Sequence, residues 1–254
     1  MTESLLVSTG GPTRILRLNR PAKRNALDDA LLHALHVALA AAEGDATVRT
    51  IVLTGAGTGF CAGRDRRDVG GPDSASLRLQ DESLDASVSA FTRVLMQLID
   101  SPKPTIAAAH GFALAGGQAL TLACDFVVAE RGCRFGNPEM QYGFPAAMNT
   151  VLLARHLGRR KALEIAITGE TYSTEEYAAL GLINRLADPG TLDATTAAFA
   201  ATLNALAPWS VRRTKELLRV AEESDMRSLM HAGDQLNQLL RLGGQSGPLF
   251  RDKT

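Results

Sequence analysis

The chain has 254 residues, with 27 Lys plus Arg against 27 Asp plus Glu and 45% hydrophobic residues. That length buries a substantial core in one large domain, or in one domain with an appendage, and the zero net charge gives no bulk electrostatic footprint for nucleic acid or an anionic membrane. Cys61, Cys124 and Cys133 show no CxxC spacing, no run reaches about 18 uncharged apolar residues, and the N-terminus lacks a charged n-region before a long apolar h-region, so a soluble, cytoplasmic, reduced protein is expected.

In chain order, Leu5 to Ser8 and Arg14 to Leu18 flank TGGP and read as a hairpin. LDDALLHALHVALAAAEG carries leucines at helical spacing, with Asp28 or Asp29 as N-cap and Gly44 as the stop. RTIVLTG, KPTIAAAHG and CDFVVAE read as buried strands with helical segments between them, which predicts an α/β domain. The stretch CAGRDRRDVGGPDSASLRLQDES follows the first of these strands, is charged and carries Gly and Pro, and is expected to be a mobile surface loop beside something functional. After about Tyr142 the pattern turns mostly helical, with a capping box in STEE, Ser173 to Glu176. From Leu192 onward only helical periodicity remains, with more apolar stripes than one small surface needs. A core over 1–191 and a C-terminal helical oligomerisation region over 192–254 are therefore expected.

Several motifs exclude themselves. GTGFCA, Gly57 to Ala62, fits the dinucleotide pattern GxGxxA, but no apolar helix follows it. No GxxxxGK[ST], HExxH or GxSxG string occurs. His33 and His36 lie three apart on a predicted helix without a third ligand of suitable spacing, and His110 reads as structural, so no metal site is expected. One feature stands out against helix propensity: in AHGFALAGGQAL, Gly116 and Gly117 sit where a helix begins. The first N–H groups of a helix lack internal partners and carry the positive end of its dipole, and glycine lets an acceptor approach the backbone closely. A tight strand-to-helix turn would also explain them. In TGAGTGFCAGRD a second glycine-rich turn with the small residues Cys61, Ala62 and Gly63 can supply another free N–H, and two convergent donors make an oxyanion hole.

LNRPAKRNAL, TGAGTGFCAGRD, KPTIAAAHGFALAGGQALTLACD, FGNPEMQYG and TGETYSTEEYAALGLINRL occur in that order from Leu18 to Leu186, and together they resemble the crotonase (enoyl-CoA hydratase/isomerase) superfamily. The resemblance implies a spiral of ββα units with a C-terminal helical region, and homotrimers or dimers of trimers. It implies an acyl-CoA thioester as substrate, coenzyme A being part of that substrate and no separate cofactor being needed. The thioester oxygen would lie between the N–H groups of Ala62 and Gly116, and Glu139 would be the acid/base. Arg24, Gly63, Arg64 and Asp65 stand where the family touches the substrate, and Phe250 or Lys253 is a further candidate for a coenzyme A contact. Two departures bear on the reaction. The second glutamate of the family's hydratases is replaced by Ala119, and the turn after Glu139, YGFPAAMNT, is one residue shorter. Ala147 stands where dienoyl isomerases carry an aspartate. Moving a double bond needs one carboxylate, whereas hydration usually shares its work between two. Isomerisation of an enoyl-CoA is the expectation, with 2-enoyl-CoA hydration, acyl-CoA hydrolysis or decarboxylation, and silent acyl-CoA binding as alternatives.

Overall fold

The structure is a computed structural model that describes residues 3–65, 89–221, 230 and 234–235. Most of the expected surface loop after Asp65, together with Phe250 and Lys253, lies outside the described residues. Two compact units divide the chain, Met1–Leu203 and Asn204–Thr254.

The first unit carries a six-stranded sheet and a three-stranded sheet. In the larger one, β1 (Leu5–Gly10) and β2 (Thr13–Leu18) form the expected antiparallel hairpin. Its turn passes through Gly11 at φ +59°, a conformation that favours glycine. From β2 the sheet continues in parallel through β3 (Thr50–Gly55), β4 (Thr105–Ala109), β6 (Phe126–Glu130) and β9 (Arg185–Ala187). The smaller sheet joins β5 (Phe112–Leu114), β7 (Arg134–Gly136) and β8 (Thr171–Ser173).

Parallel strands buried on both faces read as continuous apolar runs, with alternate residues serving opposite layers. That is how β3, β4 and β6 behave. Ile51, Leu53, Ala107, Ala109, Val127 and Ala129 enter the main core, while Val52, Ile106, Ala108 and Val128 enter a second cluster on the other face. On the main side pack α1 (Asp29–Gly44), through Leu31, Leu32, Leu35 and Leu39, and α2 (Ala90–Asp100), through Val94, Leu95 and Leu98. Asp28 is the cap of α1, its carboxylate accepting from the Leu31 N–H at 2.8 Å.

The chain then repeats one order: β4 in the large sheet, β5 in the small sheet and α3 (Gly116–Ala123), followed by β6, β7, a short 3-10 turn (Pro138–Tyr142) and α4 (Ala147–His156). This is the ββα spiral. α5 (Arg159–Ile167) and α6 (Thr174–Ala179) follow, the latter opened by the expected capping box of Ser173 and Glu176. α7 (Leu192–Asn204) sends Leu192 and Ala200 into the second cluster, with Phe126 and Phe199 edge-to-face at 5.2 Å. The compact unit with both sheets thus runs on to Leu203, past the 191/192 boundary drawn from the sequence. In the second unit α8 (Pro208–Ala221) buries no residue and leaves Leu218 and Val220 exposed.

One side chain makes several of the hydrogen bonds that hold the loop after β3. Asn25, itself at φ +53°, donates through Nδ2 to the carbonyls of Ala56, Gly59 and Phe60 at 2.8, 2.9 and 3.1 Å and accepts from the Arg20 N–H at 2.9 Å. Asn25→Ala strands these buried groups and is expected to lower stability by about 3 kcal/mol in urea denaturation. A loss below about 1 kcal/mol would mean that water replaces the amide.

Candidate active site

Past Phe60 the chain pairs with β5: the Cys61 N–H donates to the Phe112 carbonyl at 3.1 Å and the Leu114 N–H to the Cys61 carbonyl at 2.9 Å. The next residues turn to the other side. The Ala62 N–H donates to the Arg24 carbonyl at 3.0 Å, so it is not available as a donor to a ligand. Two residues on, Arg64 forms a parallel bridge with Leu27, in which the Gly63 carbonyl accepts from the Leu27 N–H at 2.8 Å and the Asp65 N–H donates to the Leu27 carbonyl at 2.9 Å. A parallel bridge uses the neighbours of the central residue and leaves that residue's own N–H pointing away. The Arg64 N–H accordingly finds no acceptor among the described residues. Its nitrogen lies beside the start of α3, where a Cβ built on Gly116 would stand 3.3 Å away. The expectation of a donor at Ala62 is thus corrected: that N–H is already bonded, and the N–H left without an acceptor beyond it is that of Arg64.

Gly116 is the first residue of α3, and its N–H also has no acceptor among the described residues. The preceding Ala115 adopts φ +50°, ψ −119°, an unfavourable backbone for a residue with a Cβ. It is held there by its N–H on the Gly136 carbonyl at 2.9 Å, and by its own carbonyl, which accepts from Asn149 Nδ2 at 2.9 Å. Gly63, at φ +104°, completes the crossing: a Cβ there would lie 3.0 Å from the Gly116 nitrogen. The two glycines at the helix start have different reasons. Gly117 is buried against Cys61, whose carbonyl oxygen would overlap any Cβ, whereas a Cβ on Gly116 would be tight but not overlapping, 3.3 Å from the Arg64 nitrogen and the Phe91 ring, which would give by a few tenths of an ångström.

Glu139 occupies the 3-10 turn after β7. Its Oε2 is buried without a hydrogen-bond partner. Burial raises the carboxyl pKa above its ordinary value, opposed in part by its own backbone N–H and by the Asn149 amide. Asn149, on α4 and only 3% exposed, donates to the Ala115 carbonyl and also lowers the Glu139 pKa, which links the acid to the residue before Gly116. Sequence reasoning missed it, because its partners come from two other segments.

The remaining expected residues separate. Ala119 is fully buried in α3 and Ala147 opens α4, so neither expected second-carboxylate position carries an acid. The Arg24 side chain is exposed. Arg64 pairs through its guanidinium with Asp29 at 3.0 Å, and Asp65 pairs with Arg20 at 3.3 Å. His110 Nε2 meets the Gly57 carbonyl at 3.0 Å, His36 Nδ1 meets Gln97 Oε1 at 2.8 Å, and no group among the described residues could hold a metal ion. Cys61 is buried with its thiol pKa pushed up to about 12, so it is no nucleophile at neutral pH. What remains among the described residues is the Glu139 carboxyl of raised pKa and the two backbone N–H groups of Arg64 and Gly116, which have no acceptor. Chemically, such a set can hold an oxygen that gains negative charge and can take up and return a proton.

A sequence profile described as enoyl-CoA hydratase/isomerase matches residues 13–239. Among relatives, the 2,3-dehydroadipyl-CoA hydratase of Escherichia coli is 33% identical over 238 residues, covering 93% of this chain and 89% of that protein. A mevalonyl-coenzyme A hydratase of Aspergillus fumigatus is 32% identical over 210 residues, covering 82% and 75%. The crystal structure of an enoyl-CoA hydratase from Mycobacterium smegmatis superposes with a TM-score of 0.83 at 31% identity, covering 94% of this chain and 91% of that one.

The two glycines predict opposite stabilities. Gly117→Ala drives a Cβ into backbone and is expected to cost about 1–3 kcal/mol, whereas Gly116→Ala is expected to stay within about 1 kcal/mol of the parent. Urea midpoints of both variants test this, and an equal loss in both would refute the close approach of Cys61 to Gly117.

Proposed function

The chain belongs to the enoyl-CoA hydratase/isomerase family, the crotonase superfamily, and within that family of enzymes we propose that it shifts a double bond in an enoyl-CoA with Glu139 as the sole proton shuttle. The observation that carries this is the buried Glu139 carboxyl of raised pKa, with the expected second acid position filled by the buried Ala119.

In the proposed reaction the thioester carbonyl oxygen of a 3-enoyl-CoA accepts from the N–H groups of Arg64 and Gly116. Glu139 takes the α-proton, the Cα–H electrons move into a dienolate with its charge on that oxygen, and the two donors stabilise the charge as it forms. Return of the proton from Glu139 to the γ-carbon reforms the carbonyl and leaves a 2-enoyl-CoA. A carboxyl whose pKa is raised by burial suits both halves of this transfer. The exposed Arg24, and Arg64 once it leaves Asp29, are proposed to meet coenzyme A phosphates, cations being suited to phosphate oxygens.

A second proposed reading, hydration of a 2-enoyl-CoA by Glu139 alone, is favoured by the relatives, which are named hydratases. Incubation with 2-enoyl, 3-enoyl and aryl-CoA thioesters under mass detection separates the two: isomerisation leaves mass unchanged while the double bond moves, and hydration adds one water. Clear 3-hydroxyacyl-CoA formation from a 2-enoyl-CoA overturns the isomerase proposal. A C-terminal helical role in assembly of trimers is also proposed, supported by the exposed Leu218 and Val220 of α8. No helix among the described residues is long and apolar enough to cross a membrane.

Glu139→Gln keeps the side-chain volume but accepts no proton. Acyl-CoA binding is expected to persist in calorimetry while turnover disappears; turnover within about tenfold of the parent, a barrier change near 1.4 kcal/mol, would assign the base elsewhere. The same variant carries a pH signature. Because the folded carboxyl has a raised pKa, ionising it costs the folded state more than the unfolded chain; this cost is absent below the ordinary carboxylate range and is full above the raised value. Glu139→Gln is thus expected to gain stability relative to the parent as pH rises through that window, and a stability difference independent of pH would contradict the direction of the shift.

A further inference from the structure

Gln118 is fully buried in α3, two positions past Gly116, and Asn137 is fully buried two positions before Glu139. A directed chain of hydrogen bonds runs through both. Asn137 Nδ2 donates to the Ile165 carbonyl at 3.0 Å, Gln118 Nε2 donates to Asn137 Oδ1 at 3.2 Å, and the Tyr177 O–H donates to Gln118 Oε1 at 2.7 Å. The direction is fixed from one end. A backbone carbonyl only accepts, so Asn137 must turn its amide nitrogen to Ile165 and its oxygen to Gln118, which in turn presents its own oxygen to Tyr177. Tyr177 is 1% exposed, stacked on Phe135 at 4.7 Å and tilted against Tyr172 at 5.7 Å, so its ring has little freedom. Burial also raises its phenol pKa, which keeps the donated proton on the oxygen.

The placement of this chain gives it a role. The β5–β7 ladder ends at Leu114 opposite Gly136, with the Ala115 N–H on the Gly136 carbonyl. Beyond that point the two segments part, one into α3 with the Gly116 N–H and the other into the 3-10 turn with Glu139. The Gln118–Asn137 bond spans them past the ladder, between residues 19 apart in sequence. We propose that Tyr177, Gln118 and Asn137 form a positioning brace that sets the Gly116 N–H and the Glu139 carboxyl at their working separation. The brace acts through those two groups, and its role depends on the proposed function, in which Gly116 holds the thioester oxygen and Glu139 moves the proton.

The test uses a reaction that needs only those two groups: exchange of the α-protons of butyryl-CoA for deuterium in D2O, followed by mass detection with the full chain, alongside circular dichroism and melting. The unmodified protein is expected to exchange. Tyr177→Phe keeps the stacked ring and breaks the chain at its first bond, and is expected to lower kcat for exchange about tenfold or more while KM stays within about twofold. Gln118→Met lowers it similarly, and the double variant is no slower than Gln118→Met alone, because one chain is broken once. A folded Tyr177→Phe protein exchanging at the parent rate overturns the brace, as does a double variant whose losses multiply. If Gln118→Met does not fold, Tyr177→Phe decides alone. An unmodified protein without exchange overturns the functional proposal and the brace with it, whereas normal exchange in the parent and in Tyr177→Phe overturns the brace only.

Discussion

Everything at this site depends on how closely the segment around Cys61–Arg64 passes the N-terminus of α3. Gly63 and Gly117 lie where any Cβ would meet the other segment, the first near the Gly116 nitrogen and the second on the Cys61 carbonyl. A donor pair that converges on one oxygen needs its two nitrogens within a few ångströms, each N–H left unpaired. Ordinary secondary structure rarely leaves two such groups together, since buried N–H groups are nearly always bonded. Here the pairing of Cys61 on β5 brings the segments together, and the bridge at Arg64 turns one N–H away from its own ladder. The strain in Ala115 is part of the same arrangement, since a strand that ran directly into α3 would not turn sharply enough.

This geometry explains which parts of the structure were legible in the sequence. The leucine spacing of α1, the Asp28 cap and the Ser173–Glu176 box are local signals, governed by residues within one or two turns, and each is present. The buried strands β3, β4 and β6 announced themselves as apolar runs between helical segments. The strands of the small sheet did not: β5, β7 and β8 have 3 residues each, too few for a period-two pattern to emerge. Those short strands are the ones that set the site.

The misplaced donor shows the same limit at the scale of one residue. Ala62 and Arg64 lie on the same short segment, and Ala62 has the smaller side chain, the feature a sequence reader associates with close approach to backbone. The choice between them turns on hydrogen-bond parity, which changes with every residue along an extended segment. Parity here is imposed by Arg24 and Leu27, from a stretch more than thirty residues upstream. The side chain at the donor position is immaterial to its N–H, so a charged residue serves as well as alanine. Asn149, Gln118 and Tyr177 escaped notice for a related reason: each has its meaning only in partners from other turns of the spiral.

The electrostatics of the site favour moving a proton over storing a charge. In the proposed reaction both donors are neutral backbone dipoles, which can stabilise a negative oxygen as it forms without themselves being a cation that pulls the Glu139 pKa down. Burial therefore dominates Glu139 and keeps its neutral form within reach, the condition for taking a proton from carbon and giving it back. A second acid in α3 would change that balance. Two carboxylates in one low-dielectric site repel each other when both are ionised, which raises at least one pKa further and couples their titrations. With Ala119 in that place, burial sets the direction of the Glu139 shift, opposed only in part by its own backbone N–H and the Asn149 amide.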